Sequence, residues 1–185
     1  MKVIIKNSNI AFPFDKYCQL IFDIIPKSDT IGIDEIRFIE CFSHPKSDKS
    51  SIACYLEAEQ GNRSNIEINL KNAIKEKIPE YLFKDNQEIA ALFLSEIISH
   101  EVGHHAHRFK RHGVKKAKAE AFAEKYARAG YFNYLCQRKN KILAAYRRAS
   151  LNVFAFDKKG RQSFSLSRQE LINWINDNPN GIEFP

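Results

Sequence analysis

The pentapeptide His100-Glu101-Val102-Gly103-His104 constrains this chain more than any other feature. Residues four apart on an α-helix lie one turn apart on the same face, so two imidazoles at that spacing can close on one metal ion with the glutamate beside them. The flanking residues suit a helix. From Asn86 onward Ile89, Leu92, Phe93 and Ile97 recur at three- and four-residue intervals, and Asp85 or Asn86 is a suitable N-cap. The pattern predicts a core-packed helix carrying a metal-binding pair, the arrangement used in zinc-assisted hydrolysis of amide bonds. Two surface histidines on an amphipathic helix are the competing reading of the same residues.

Catalytic zinc takes three protein ligands and keeps a fourth position for water, so a further ligand is needed. The downstream candidates are His105, His107, His112, Glu120 and Glu124. His105 points about 100° away from His104 around the helix. His107 shares the face but stands roughly 10 Å along the axis from His100, which makes it a neighbour for substrate or metal-bound water instead of a ligand. The metzincin pattern is excluded, because Lys110 and His107 occupy the positions where it needs a histidine and a glycine. Glu120 and Glu124 stand in the alanine-rich stretch Ala117 to Ala127, after the break at His112-Gly113. At a spacing of four they share a face, so one can ligate the ion while the other bonds a ligand imidazole. A solvated acidic face among lysines is the alternative use of such a pair.

His-Glu-x-x-His followed by Glu120-Ala121-Phe122-Ala123 resembles the gluzincin clan of metallopeptidases, and the compact minigluzincins are the members most similar in size. The clan often places an acid directly after that alanine, and Glu124 matches it. The resemblance implies zinc held by His100, His104 and Glu120, with Glu101 as general base and Glu124 as partner of a ligand imidazole. Glu124-Lys125-Tyr126-Ala127 has the same form, so the reverse assignment of the two glutamates stays open. The clan stabilises the oxyanion with a Tyr or His, for which His107, Tyr126, Tyr131 and Tyr134 are the candidates. It also lays a twisted sheet beside the motif helix, with an edge strand that pairs with extended substrate; residues 65–72 are the candidate strand, with an ordinary interior strand as the competing reading. A weaker resemblance, to the SprT-like proteases, rests on His112-Gly113. The interval from His104 is shorter than in that family and leaves His112 pointing along the helix.

A chain of 185 residues with 44% hydrophobic content suits one domain over 1–185, with no linker long enough to divide it. No apolar run approaches twenty residues and the first residues lack a signal stretch, so a cytoplasmic protein without a membrane span is expected. Cys18, Cys41, Cys54 and Cys136 are scattered, which predicts buried free thiols. The net charge of +7 conceals a division, from −4 over residues 1–107 to +11 over 108–185. The basic part begins directly after the motif helix with Arg108, Lys110, Arg111, Lys115, Lys116 and Lys118, and continues through Arg138, Lys139, Lys141, Arg147 and Arg148. It could attract nucleic acid, acidic protein or anionic lipid, but no nucleic-acid motif accompanies it, and a solvated helical surface is the preferred reading.

Along the chain, the pattern predicts a helix over 14–25, a strand over 31–42, and a hairpin of 51–59 with 65–70 around Gln60-Gly61-Asn62-Arg63-Ser64. A helical run from Tyr131 to about Arg148, a strand over 162–166 and a capping box at Ser167-Arg168-Gln169-Glu170 follow. The expected class is α+β: a small twisted, antiparallel-rich sheet beside the motif helix and a second helix bearing Glu-x-x-Ala. The expected activity is zinc-dependent hydrolysis of a peptide or protein substrate. The alternative is a latent or non-catalytic module of that fold whose basic part contacts nucleic acid or a protein partner.

Overall fold

The pentapeptide lies on a 24-residue helix, Gln87–Lys110, around which the rest of the chain is arranged. The computed structural model describes residues 1–6, 9–42, 49–57, 64–110, 116–149, 153–156, 162–166 and 168–185; side chains at 108–110, 147–149, 153–156, 162–166, 168 and 171 lie outside the description. In chain order the elements begin with β1 (Lys2–Ile5), α1 (Phe14–Phe22), a 3-10 turn (Lys27–Thr30), β2 (Ile33–Ile39), β3 (Ala53–Leu56) and β4 (Ser64–Asn69). Then come α2 (Leu70–Glu76), α3 (Glu80–Asp85), α4 (Gln87–Lys110), α5 (Lys116–Gln137), α6 (Lys139–Ala149), the hairpin β5 (Val153–Phe156) and β6 (Gln162–Leu166), and α7 (Arg168–Asp177). No described helix is long and apolar enough to cross a membrane.

Helix α4 is buried on all sides, which its one-faced apolar periodicity did not foretell. From Ile89 to His107 every residue is buried except His100 and His104, so over that span the helix opens to solvent at the motif histidines alone. Of its buried polar residues, Ser95 and Glu96 are paired, while the Ser99 hydroxyl is buried without a partner. The Ser95 hydroxyl donates to the Leu92 carbonyl at 2.6 Å, and Glu96 pairs with Lys77. Asn86 does precede the helix, but its side-chain oxygen is buried without a hydrogen-bond partner, so it does not cap as expected.

Two glycines let α5 approach α4 closely. A Cβ on Gly103 would stand 2.8 Å from both the Ala123 Cα and the Tyr126 Cβ, and one on Gly130 would overlap the Ser99 hydroxyl. Because Ser99 faces Gly130 while Gly103 faces Ala123 and Tyr126, the two helices run antiparallel.

The sheet order is β1-β2-β4-β3. β1 on β2 and β2 on β4 are parallel, and β3 on β4 is antiparallel. The antiparallel-rich sheet is therefore corrected to a mixed one with more parallel than antiparallel pairs. The hairpin of 51–59 with 65–70 does form, over a shorter span. Its sequence partners are adjacent in space, but β4 also pairs with β2 on its other side and becomes an interior strand. Ser64 to Asn69 are all buried, including Glu67, which lies 3.5 Å from the Arg37 guanidinium. The alternation of Ile66 and Ile68 with Glu67 and Asn69 resembled a half-exposed strand because ion pairing of the polar face leaves no mark in the sequence. The edge strand nearest the motif helix is thus β3, not residues 65–72.

Smaller differences have local causes. α1 ends at Phe22, and tighter turns, Ile24 N–H to the Ile21 carbonyl and Ile25 N–H to the Phe22 carbonyl, carry the chain to Pro26. The run from Tyr131 to Arg148 divides at Arg138, whose guanidinium bonds Glu88 at 2.6 Å. The turn residues 60–63, His112, Arg111, Lys115 and Ser167 lie outside the described residues, as do the side chains of Arg108, Lys110, Arg147, Arg148 and Arg168.

Gly103→Ala places a methyl group against helix backbone that cannot turn aside. It should destabilise the protein by ~1–3 kcal/mol, measured by denaturant unfolding, and weaken metal binding at the neighbouring cluster.

Candidate metal centre

His100 and His104 project one turn apart from the exposed stripe of α4, and their Nε2 atoms lie 3.1 Å apart. Glu120, in the first turns of α5, brings Oε2 to 3.6 Å from each. The point equidistant from these three atoms is about 2.0 Å from each, the length of a zinc bond to imidazole nitrogen or carboxylate oxygen. The donor set therefore fits zinc in size and in chemistry. Among the described residues this is the group of His, Cys, Asp and Glu side chains placed to share an ion.

The protonation states agree with ligation. Burial pushes His100 down to about 4, assisted by the charges of His104 and Lys77. Burial likewise lowers His104; the Glu120 carboxylate opposes that shift and His107 adds to it. Both imidazoles are consequently neutral at pH 7, with lone pairs available to a cation. Glu120 has a side chain 45% exposed, so the third corner faces solvent while the histidines are recessed.

Glu101 projects from α4 toward the sheet, not toward α5. Its carboxyl accepts the Tyr55 backbone N–H from β3, and burial is the main cause that raises its pKa to about 8. One turn further on, His105 is held by the same strand: Nδ1 is 2.8 Å from the Tyr55 hydroxyl and Nε2 is 2.8 Å from the Ile31 carbonyl. A carbonyl only accepts, so Nε2 carries the proton there. His105 is a structural histidine that seats the motif helix on the edge strand, in keeping with its direction around the helix.

The other candidates separate clearly. Glu124 is exposed on α5 and lies outside the three-residue cluster, so the structure brings Glu120 to the histidines and leaves Glu124 apart. His107 is buried beside His104, with its ring 5.1 Å from that of Phe122. Tyr126 is fully buried and donates its hydroxyl to Asp29 at 2.8 Å, so the structure does not offer it to the cluster. Tyr131 and Tyr134 are also fully buried. The cysteines are free, as expected, but Cys18 alone is buried; Cys41 is exposed and Cys54 and Cys136 are half-buried.

A cleft of about 350 Å³ adjoins the cluster, lined by His100 and Glu101, by Ala53 of the edge strand, and by Lys77 and Glu96. Sequence reasoning missed three residues that build the surroundings of the cluster. Glu96 had a usable signal, since it precedes His100 by four residues and so shares the ligand face. Tyr55 and Lys77 had none, because their roles arise from contacts between distant parts of the chain.

No family model matches the chain, and no curated protein and no solved structure matches it.

Purified protein should carry about one zinc per chain by elemental analysis. Glu120→Ala should abolish that stoichiometry, whereas Glu124→Ala should retain the metal with an affinity within roughly tenfold of wild type. Zinc lost from the second variant and kept by the first would move the third corner to Glu124.

A second expectation concerns the metal-free protein and follows from Glu101. Its folded pKa of about 8 lies above the carboxylate value of 4.5, so between these limits the folded state holds a proton that the unfolded state has released. Stability contributed by the protonated form is complete below pH 4.5 and is lost as pH rises through about 8. Glu101→Gln removes this dependence. Chemical denaturation of the two apo-proteins at pH 5, 7 and 9 should show the variant gaining on wild type as pH increases; parallel profiles would mean that Glu101 is not held as described.

Proposed function

We propose that the chain is a zinc-dependent metallopeptidase of gluzincin type that hydrolyses peptide bonds in a peptide or protein substrate. The observation that carries this reading is the convergence of His100, His104 and Glu120 on one point, with Glu101 lining the cleft beside them. Zinc bound there would act as a Lewis acid that polarises the scissile carbonyl and makes a water molecule acidic enough to attack near neutral pH.

The chain's own residues supply the remaining functions. Glu101 is oriented by the Tyr55 N–H, so its carboxylate is fixed where it can take the proton of the attacking water and return it to the leaving nitrogen. The zincin-like arrangement also accounts for the position of β3. The Ile52 carbonyl accepts from the Asn69 N–H of β4, so by antiparallel alternation Ala53 and Tyr55 turn their backbone groups to the open side. Tyr55 uses its N–H on Glu101, and Ala53 lines the cleft, where its outward N–H and C=O suit an extended chain added to the edge.

Glu101→Gln preserves size and removes the base. It should leave zinc content unchanged while cleavage of a peptide library falls by about 10²–10⁴-fold. A wild-type protein that holds zinc and cleaves nothing the variant spares, neither in the library nor in its own chain, would rule hydrolysis out.

A further inference from the structure

The cleft also carries an ion pair that ligation does not require. Lys77, immediately after α2, places Nζ 2.6 Å from Glu96 Oε1, and Glu96 stands one turn before His100 on α4. The Glu96 side chain is only 11% exposed, and its other oxygen is buried without a partner. Such a pair is a poor way to gain stability, because desolvation of a buried carboxylate is offset only when all its acceptor sites are used. What the pair does accomplish is to fix an ammonium group. A lysine ammonium has three donors; one goes to Glu96, and the described residues provide no other acceptor for it.

The cleft therefore offers a ligand a held cation with free donors, while the unpartnered Glu96 oxygen is closed off from it. Glu76, exposed on the rim, and Glu101 are the remaining charged side chains of the lining, so Lys77 is the single cationic side chain among the described lining residues. The complementary group is an anion with two acceptor oxygens. Since the same cleft is bounded by His100 and Glu101, its occupant is the part of the substrate next to the reacting bond.

We propose that Lys77 is a specificity residue that binds a carboxylate on the substrate residue adjoining the scissile bond, with Glu96 as the positioning residue that holds its ammonium in place. This inference rests on the metallopeptidase reading for the identity of the substrate. The carboxylate has two possible sources, an aspartate or glutamate side chain within a longer peptide, or the free terminus of the chain being cut.

The test is made on zinc-loaded Glu101→Gln protein, which binds without turnover, by calorimetric titration with four short alanine peptides. Two are capped at both ends and carry one glutamate or one glutamine; two are otherwise uncharged and end in a free or an amidated C-terminus. The peptide with the recognised carboxylate should bind roughly 10- to 100-fold tighter than its neutral counterpart, the scale of a hydrogen bond to a charged group. The pair that shows the difference identifies the source. Adding Lys77→Met should bring the ratio to near unity, Lys77→Arg should restore most of it, and Glu96→Gln should reduce it. Thermal melts confirm that each variant is folded, and Lys77→Arg guards against a misfolded Lys77→Met. Equal affinity within both peptide pairs, or a preference that survives Lys77→Met, overturns the proposal. Those outcomes leave the metallopeptidase reading intact, because that reading fails separately, through absence of zinc or of Glu101-dependent cleavage in the wild type.

Discussion

The candidate metal centre depends on how near α5 comes to α4, and that separation is set by a residue with no side chain. A glutamate is short, and Glu120 reaches the two imidazoles only because the helices touch almost backbone to backbone where Gly103 meets Ala123. The two small residues occupy equivalent places, each three positions after a ligand, Gly103 after His100 and Ala123 after Glu120. On a helix that spacing puts the small residue beside the ligand on the ridge that makes the contact. Glycine inside the histidine motif and alanine after the glutamate thus have one physical meaning. They remove the bulk that would hold the third corner of the triangle away from the other two.

The opposite side of α4 is fixed by different means. Tyr55 uses its backbone on Glu101 and its hydroxyl on His105, so one residue of the edge strand grips two successive turns of the helix. The Ile31 carbonyl completes the grip at His105 Nε2. These bonds are specific where packing is not, and they set the distance between the cluster and the outward backbone of β3. Through them the sheet, α4 and α5 form one frame: α5 supplies the third corner, and β3 supplies the orientation of Glu101.

The sequence made the site more legible than the fold. His100, His104 and Glu120 could be read because the features that unite them are local spacings, four residues within one helix and a Glu-x-x-Ala within another. The preference for Glu120 over Glu124 rested on the resemblance, since both satisfy Glu-x-x-Ala and the reverse stayed open; in the structure it is Glu120 whose carboxylate meets the histidines, through the rotation of α5 at Gly103. Strand β4 was misjudged for a related reason. Its alternation looked half-exposed, yet pairing on both edges and the contact of Glu67 with Arg37 bury it completely. Burial of polar groups by distant partners is a tertiary property, and the same blindness hid Tyr55, Lys77 and the role of Glu96.

Burial also shapes how the cluster responds to pH. Near pH 7 the depressed histidines are uncharged in folded and unfolded states alike, so they cost little; their cost appears only as pH falls through 6.5 toward the value of about 4 for His100. Glu101 behaves oppositely, since its folded pKa of about 8 means that every step upward from pH 4.5 sets the folded state against an unfolded state with an ionised, hydrated carboxylate. In the metal-free protein Glu101 therefore still holds its proton at neutral pH and ionises as pH rises through about 8. Two neutral imidazoles and one carboxylate around a gap of ligand length, above a second carboxyl that burial penalises, make a site that gains most from a small dication. Binding of such an ion would relieve the strain on Glu101 as well as fill the triangle, so metal affinity, folding stability and the proton affinity of Glu101 would be linked through a single residue.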